Sequence, residues 1–462
     1  MRPKRLIFDI STLARAGGQA VGIVRVVRQY ANWARANRPD VVFAVADTRI
    51  DGFRAVRAEW LDPLLQGTAV VDMSVLPSAE RGHEHNGGLR GWVLHPRRRA
   101  LVALERMRLT SGRPIARMAD WLSSLFLSSR YRSELTDPQG MRRALVPYEM
   151  AAAEPINLDA GDVLVLTGSE WGYLHFDRLR DSKQRLGFAV VLLTYDTIPL
   201  LFPQFYRPDD AQAYRRFFHN MVPLADLLIV TARQVETDAG DYCRANGLRM
   251  PNCRIVPLGA DPVRVAAARA SLLPAGLEAG RYALYVSTIE PRKNHALLLS
   301  VWKRLCAEGV PQAHGFKLAL VGRPGWMVED LLAALRGHAK QGYGLVMLSD
   351  VNDRQLADLY RGAAFCLYPS LYEGYGLPIV EGFHHGKAVL ASTGGALPAV
   401  VGAFSPSLDP RDENAWYGAL KRWIVEPQLR APAEAAIRER FRHPDWDEAS
   451  RRFFDAVDEG LG

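Results

Sequence analysis

Residues 283–391 carry the pattern that most restricts the fold. Five short apolar runs (283–286, 318–321, 345–348, 364–368 and 388–391) alternate with stretches of helical periodicity at 296–308, 328–338, 354–361 and 378–385. Runs this short and this apolar read as strands covered on both faces. Regular βα alternation then gives a parallel sheet with helices on both sides. The preceding half repeats the logic less regularly. Its apolar runs lie at 5–8, 41–46, 69–75, 163–166, 189–193, 227–230 and 255–257, with helices at 23–33 and 214–222. An alanine-, proline- and glycine-rich stretch at 262–280 separates the two series. The expected architecture is α/β, with two Rossmann-like, doubly wound parallel-sheet domains spanning 1–265 and 275–440. They face each other across a cleft at their strand carboxyl ends. A last helix within 445–462, carrying Trp446, Phe453, Phe454 and Val457, is expected to pack back onto the first domain.

One segment breaks the pattern. From 77 to 155 the strand signal disappears, and residues 81–150 hold 13 arginines against 6 acidic residues. That net of +7 accounts for most of the chain's formal +8. Such a charge favours anionic partners: nucleotides, phosphates, acidic lipid or nucleic acid. Nucleic acid is disfavoured, because the arginines are confined to one insertion and no recognition motif accompanies them. The insertion either docks on an anionic membrane surface or is a helical excursion packed on the body. No run of about 18 apolar residues is present, and the N-terminus MRPKRLIFDIS lacks a signal-peptide core. Cys243, Cys253, Cys306 and Cys366 show no paired spacing and read as free thiols of a reducing compartment. The expectation is a cytoplasmic protein, either free or peripheral on the inner face of the cytoplasmic membrane, without a metal or cofactor.

Candidate chemistry gathers at strand carboxyl ends. Arg292 and Lys293 follow the 283–286 run, and two adjacent cations suit a diphosphate, although a surface pair of this kind is usually solvated. Arg323 is held in the glycine-rich turn 322–326. Ser392 to Gly395 follow the 388–391 run. Between them lies PSLYEGYGLPIVEGFHHG (369–386), a strand, loop and helix start. Gly374 and Gly376 interrupt regular structure there, and Pro378 suits a first helical turn, where a phosphate can meet backbone N–H groups. Glu373 lies in the loop and Glu381 in the expected first turn. The pair is either a solvated loop carboxylate with a dipole complement or part of a site. In the first half, Asp196 at the carboxyl end of 189–193 either faces the cleft or caps a loop.

These segments resemble the donor-binding domain of the retaining, nucleotide-sugar-dependent glycosyltransferases of family 4, which have the GT-B fold. The resemblance rests on STIEPRKNHALLL (287–299), LVGRPGW (320–326), YPSLYEGYGLPIVEG (368–382) and ASTGGALPAVVG (391–402), with the Glu373-to-Glu381 spacing as its hallmark. GIVRV (22–26) and YDTIPLLFP (195–203) resemble the acceptor-side segments more loosely. The resemblance implies that Glu381 accepts hydrogen bonds from the donor ribose and that Glu373 lies near the reacting sugar carbon. It implies that Arg292 and Lys293 neutralise the leaving diphosphate, and that Gly17 and Gly18 let the first domain approach the phosphates. Gly376, Leu377 and Pro378 would open the helix beside the donor, and backbone around Val351 would meet the base. Transfer would proceed with retention, by front-face substitution and without a metal. Three departures stand out. Ser287-Thr288 occupy the place where many members have an arginine, a charge that Arg323 is placed to supply. Tyr195-Asp196 replaces a frequent His-Asp, and Ala399 stands where a glutamate is usual.

The function expected is transfer of a hexose or deoxyhexose, mannose-like by preference, in surface polysaccharide synthesis. The donor would be a GDP-, UDP- or dTDP-linked sugar and the acceptor a growing, lipid-linked glycan. The alternative is a catalytically silent homologue acting as a scaffold in polysaccharide assembly.

Overall fold

The computed structural model describes residues 5–16, 22–73, 76, 89–112, 114–116, 118–119, 122, 142–261 and 273–461, with the backbone alone for 89–99. Gly17 and Gly18 lie outside the described residues.

Two large sheets organise the chain. The first has eight strands: β1 Arg5–Asp9, β2 Val41–Asp47, β3 Gly52–Val56, β6 Ala152–Pro155, β7 Asp162–Leu166, β8 Ala189–Thr194, β9 Leu227–Val230 and β10 Asn252–Ile255. Their order is β10-β9-β8-β7-β1-β2-β3-β6. Six of them run parallel, but β3 pairs antiparallel with both β2 and β6. The expected all-parallel sheet is thus corrected at one edge. β3 and β6 escape sequence reading because an edge ribbon needs no continuous apolar run: β6 is Ala-Ala-Glu-Pro, and Glu154 and Pro155 are exposed.

The basic insertion is also corrected. β4 Ala69–Asp72 pairs in parallel with β5 Ala144–Pro147 in a separate two-stranded sheet, so the segment thought free of strands contains β5 and β6. A helix at Leu89–Thr110 packs Leu101 on Val70 and Leu145. It is pinned by buried Glu105, which accepts from Arg108 at 2.8 Å and also from Arg142. The described part of the insertion is held to the body by this helix and by the pairing of β5 with β4. Arg143 is buried, while Met107, Ile115 and Met118 are exposed. Five of its other arginines fall outside the described residues, and four more are described by their backbone alone.

The second sheet is wholly parallel. Its strands are β11 Tyr282–Val286, β12 Lys317–Val321, β13 Leu345–Leu348, β14 Phe365–Tyr368, β15 Val389–Ser392 and β16 Ser407–Leu408, in the order β13-β12-β11-β14-β15-β16. The order reverses between β11 and β14, which opens a crevice at their carboxyl ends. The strands are buried almost throughout, and helices cover both faces.

The C-terminal helix Trp446–Gly460 belongs to the core of the first sheet. Phe453 stacks on Tyr30 at 4.5 Å and Phe454 on Trp33 at 5.2 Å, both partners lying on the helix Ile23–Asn37. Asp445 caps this last helix by accepting from the Glu448 N–H. A Cβ on Gly259 would lie 2.6 Å from Trp446 Cα, so the chain leaving β10 and the returning helix require glycine at their crossing. Among the described residues no helix is long and apolar enough to cross a membrane.

Candidate active site

A cleft of about 540 Å³ lies between the carboxyl ends of the two sheets. The first half supplies Gly22, Arg25, Arg28 and Gln29 from the start of the helix after β1. The second half supplies the turns after β11, β12 and β13 and the helix Leu377–His384. Its lining mixes apolar side chains, Val286, Val321, Leu348, Val351 and Leu356, with the charged Lys293, Arg323 and Glu381. Glycine allows these turns to meet. A Cβ on Gly322 would fall 1.8 Å from the Ser287 carbonyl oxygen.

Lys293 closes a 3-10 turn, Pro291–Lys293, that ends at Asn294 in the left-handed region with φ 58°. Asparagine tolerates that conformation, and its side-chain amide donates to the Pro369 and Pro410 carbonyls at 3.1 and 2.9 Å. The turn is thereby tied to the loop that carries Glu373. Lys293 Nζ donates to Glu373 Oε1 at 2.5 Å and to Tyr368 Oη at 3.2 Å. Arg292 lies on the other oxygen, Oε2, at 2.7 Å, and also reaches Glu290 at 2.6 Å and the Tyr372 carbonyl at 2.7 Å. Burial alone would raise the Glu373 carboxyl, but Arg292 and Lys293 outweigh it and hold it at about 2. Glu373 is neither a solvated loop carboxylate nor a residue of the cleft wall. It is the buried anion that anchors two cations.

Lys293 lines the cleft, whereas Arg292 does not; three acceptors hold its guanidinium beneath the floor. Arg323 lines the cleft with its side chain 56% exposed and with Asp350 no closer than 3.6 Å, so its charge remains available. Val351, Leu377 and Pro378 line the cleft as well. Gly376 is the residue before the helix, at φ 113°, with its Cβ position 2.7 Å from Leu397 Cδ2, which makes glycine obligatory there.

Glu381 is the fifth residue of the helix Leu377–His384, so it belongs to the second turn and not the first. A dipole complement is thereby ruled out as its main role. Its Oε1 accepts from Arg25 Nη1 at 3.0 Å and its Oε2 from Tyr360 Oη at 3.0 Å. Neither partner was singled out by sequence reasoning. Arg25 lay inside a helix read only for its apolar face, and Tyr360 sits in a helix read only for its periodicity.

Asp196 serves the seam between the halves. Its Oδ1 accepts from the Ile198 N–H at 3.0 Å, capping a short turn. Burial raises its carboxyl, opposed by the charge of Arg292. It is not part of the cleft wall. Gly374 packs directly over it: a Cβ there would lie 2.5 Å from the Tyr195 carbonyl oxygen and 2.6 Å from Asp196 Cβ. Gly374→Ala is therefore expected to force the two turns apart at a cost of about 1–3 kcal/mol, read as a lower unfolding midpoint. An unchanged midpoint would show that the turns do not bear on each other. Other contacts across the seam are Trp326 Nε1 donating to the Phe205 carbonyl at 2.8 Å and Tyr372 Oη donating to Asp238 at 2.7 Å.

The paired sheets and the cleft between their carboxyl ends are those of the GT-B glycosyltransferases. HepE from Anabaena, solved in complex with UDP, superposes with a TM-score of 0.55 over 98% of this chain and 100% of that one, at 13% identity. Residues 276–440 match the family model described as Glycosyl transferases group 1, which covers the second sheet and the cleft residues Lys293, Arg323 and Glu381. The serotype-specific mannosyltransferase WbdA of Escherichia coli is 27% identical over 283 residues, 59% of this chain and 33% of its own length. O-antigen chain mannosyltransferase B of Escherichia coli is 28% identical over 263 residues, 55% of this chain and 66% of its own. The chain thus spans about a third of the first of these relatives and just under two thirds of the second.

Proposed function

We propose that this protein is a retaining glycosyltransferase that moves a hexose or deoxyhexose, mannose-like by preference, from a nucleoside-diphosphate sugar to a growing glycan. The observation that carries the proposal is that Lys293, Arg323 and Glu381 line one cleft together with the apolar Val286, Val321, Leu348, Val351 and Leu356. A flat base suits the apolar side chains around Val351, and ribose hydroxyls suit Glu381. The diphosphate suits Lys293, Arg323 and the helix start at Gly376, Leu377 and Pro378.

In the transfer step the bond between the sugar carbon and the diphosphate oxygen breaks, and negative charge grows on the departing phosphate. Lys293 is held by Glu373 and Tyr368 before that charge develops, so its stabilisation requires no reorganisation. Arg292 acts one step back, by fixing Glu373. Asp196 and Gly374 set the distance between the two halves, and with it the approach of the acceptor. The likeness to WbdA and to O-antigen chain mannosyltransferase B supports a mannose-like donor and a role in surface polysaccharide. The exposed Met107, Ile115 and Met118 in a strongly basic insertion favour a lipid-linked acceptor on an anionic membrane face.

A thermal-shift panel of UDP, GDP and dTDP with their sugars tests the donor site. A nucleotide at about 100 times its dissociation constant is expected to add roughly 2.7 kcal/mol of stability. Glu381→Ala is expected to weaken that nucleotide roughly 10- to 150-fold, the equivalent of about 1.5–3 kcal/mol for bonds to a charged acceptor. Stabilisation by no nucleotide would refute the donor site. Binding without turnover of any sugar nucleotide would instead favour the scaffold. The anomeric configuration of the product, read by NMR, decides retention.

A further inference from the structure

We infer that Arg25 is a positioning residue for the donor ribose, contributed by the first half of the chain to a site otherwise built by the second. The inference rests on the proposed role of Glu381. Arg25 Nη1 and Tyr360 Oη each take a different oxygen of the Glu381 carboxylate, both at 3.0 Å. A carboxylate oxygen accepts two hydrogen bonds, so each retains capacity for a ligand hydroxyl. Two donors on opposite oxygens fix the rotation of the carboxylate about its last side-chain bond, which is otherwise broad.

Both donors are themselves held. Tyr360 is buried, its ring stacked on His385 at 5.4 Å with an interplanar angle of 8°. The Arg25 guanidinium lies 5.8 Å from the Trp446 ring, on the C-terminal helix that packs against its own. The Arg25 and Glu381 side chains are 31% and 18% exposed, and an ion pair so open to water contributes little to stability. Its consequence is geometric. Arg28, one turn further along the same helix, also lines the cleft but reaches no carboxylate among the described residues. Positioning of Glu381 therefore falls to Arg25. Because the pair joins the two halves, the ribose site is complete only when they are closed on each other, and ribose binding favours that closed arrangement.

The test compares UDP and GDP with their 2′,3′-dideoxy counterparts by calorimetry on the full chain. The parent protein is expected to prefer the ribo form at least tenfold, and Glu381→Gln to erase the preference. Arg25→Ala is expected to cut it three- to tenfold with unchanged affinity for the dideoxy form, which also reports that the variant is folded. Arg25→Lys is expected to restore it in part. If Arg25→Ala keeps the parent's preference while Glu381→Gln loses it, the inference fails and the reading of Glu381 stands. Tighter ribo binding by Arg25→Ala would mean that Arg25 competes with the ribose, which also overturns the inference. A preference that survives Glu381→Gln, or a parent that binds no nucleotide, sinks the underlying reading together with the inference.

Discussion

Glu373→Ala is expected to destabilise the protein by about 3–5 kcal/mol, the cost of removing one partner from a buried ion cluster. Two cations depend on this carboxylate, Lys293 at 2.5 Å and Arg292 at 2.7 Å, and both side chains are 12% exposed. Glu290 is too little to hold them alone, since it meets only Arg292 at 2.6 Å and burial raises its own carboxyl. Glu373→Gln gives the sharper measurement, because it keeps the shape and removes the charge. In the parent the Glu373 carboxyl sits at about 2 when folded, against an ordinary 4.5. A depressed carboxyl contributes stability that is present above pH 4.5 and is lost as pH falls toward 2. That contribution is about 3 kcal/mol. Denaturant unfolding between pH 2.5 and 7 should therefore show a steeper acid limb in the parent than in Glu373→Gln, which keeps only the limb set by other paired carboxylates such as Asp47. An identical limb in both proteins would mean that Glu373 is not the anion of the cluster. Sugar transfer is expected to fall at least a thousandfold in either variant, because Lys293 loses the contact that aims it at the leaving group.

The second sheet was readable because its strands are buried on both faces, so burial writes itself as continuous apolar runs. The first sheet was readable for the same reason from β7 to β9, and it failed at β3 and β6, where an edge ribbon of Gly-Phe-Arg-Ala-Val and Ala-Ala-Glu-Pro leaves no continuous apolar run. The separate pairing of β4 with β5 could not be seen either, since 71 residues lie between the two strands and the register depends on contacts, not spacing. At the site, Glu373, Glu381, Lys293 and Arg323 were legible as residue types at strand ends. What each one does was not. Arg292 and Lys293 are adjacent in sequence and were read as equals, yet a 3-10 turn points one into the floor and the other into the cleft. Arg25 was invisible because its partner stands 356 positions away. Sequence pattern reports which face of an element is buried; it does not report which distant element covers it.

A second carboxylate at a strand carboxyl end behaves in the opposite sense to Glu373, and the contrast yields the last prediction. Glu170 follows β7, fully buried, in a 3-10 turn at Glu170–Gly172. Its Oε1 accepts from the Gly168 N–H at 2.5 Å, but its Oε2 meets no partner among the described residues. Among the described residues no cation pairs with it, and Asp9, held by Ser11 and Tyr173, adds repulsion. Burial first, and then Asp9, push the Glu170 carboxyl up to about 8. The folded protein therefore keeps this proton at neutral pH, while the unfolded chain releases it near 4.5. The folded state binds more protons over that interval, so stability falls as pH rises from 4.5 and the full cost is reached above 8. The cost is on the order of 4 kcal/mol. Glu170→Gln carries a neutral side chain of the same shape and escapes it. The variant is expected to match the parent near pH 4.5 and to exceed its stability by that amount at pH 9, measured by denaturant midpoints at each pH. A constant difference across the range would mean that Glu170 is ionised in the folded protein. The two glutamates thus occupy similar places in their respective sheets and differ in charge because one was given cations and the other was not. That difference decides which of them can anchor a cleft-lining lysine.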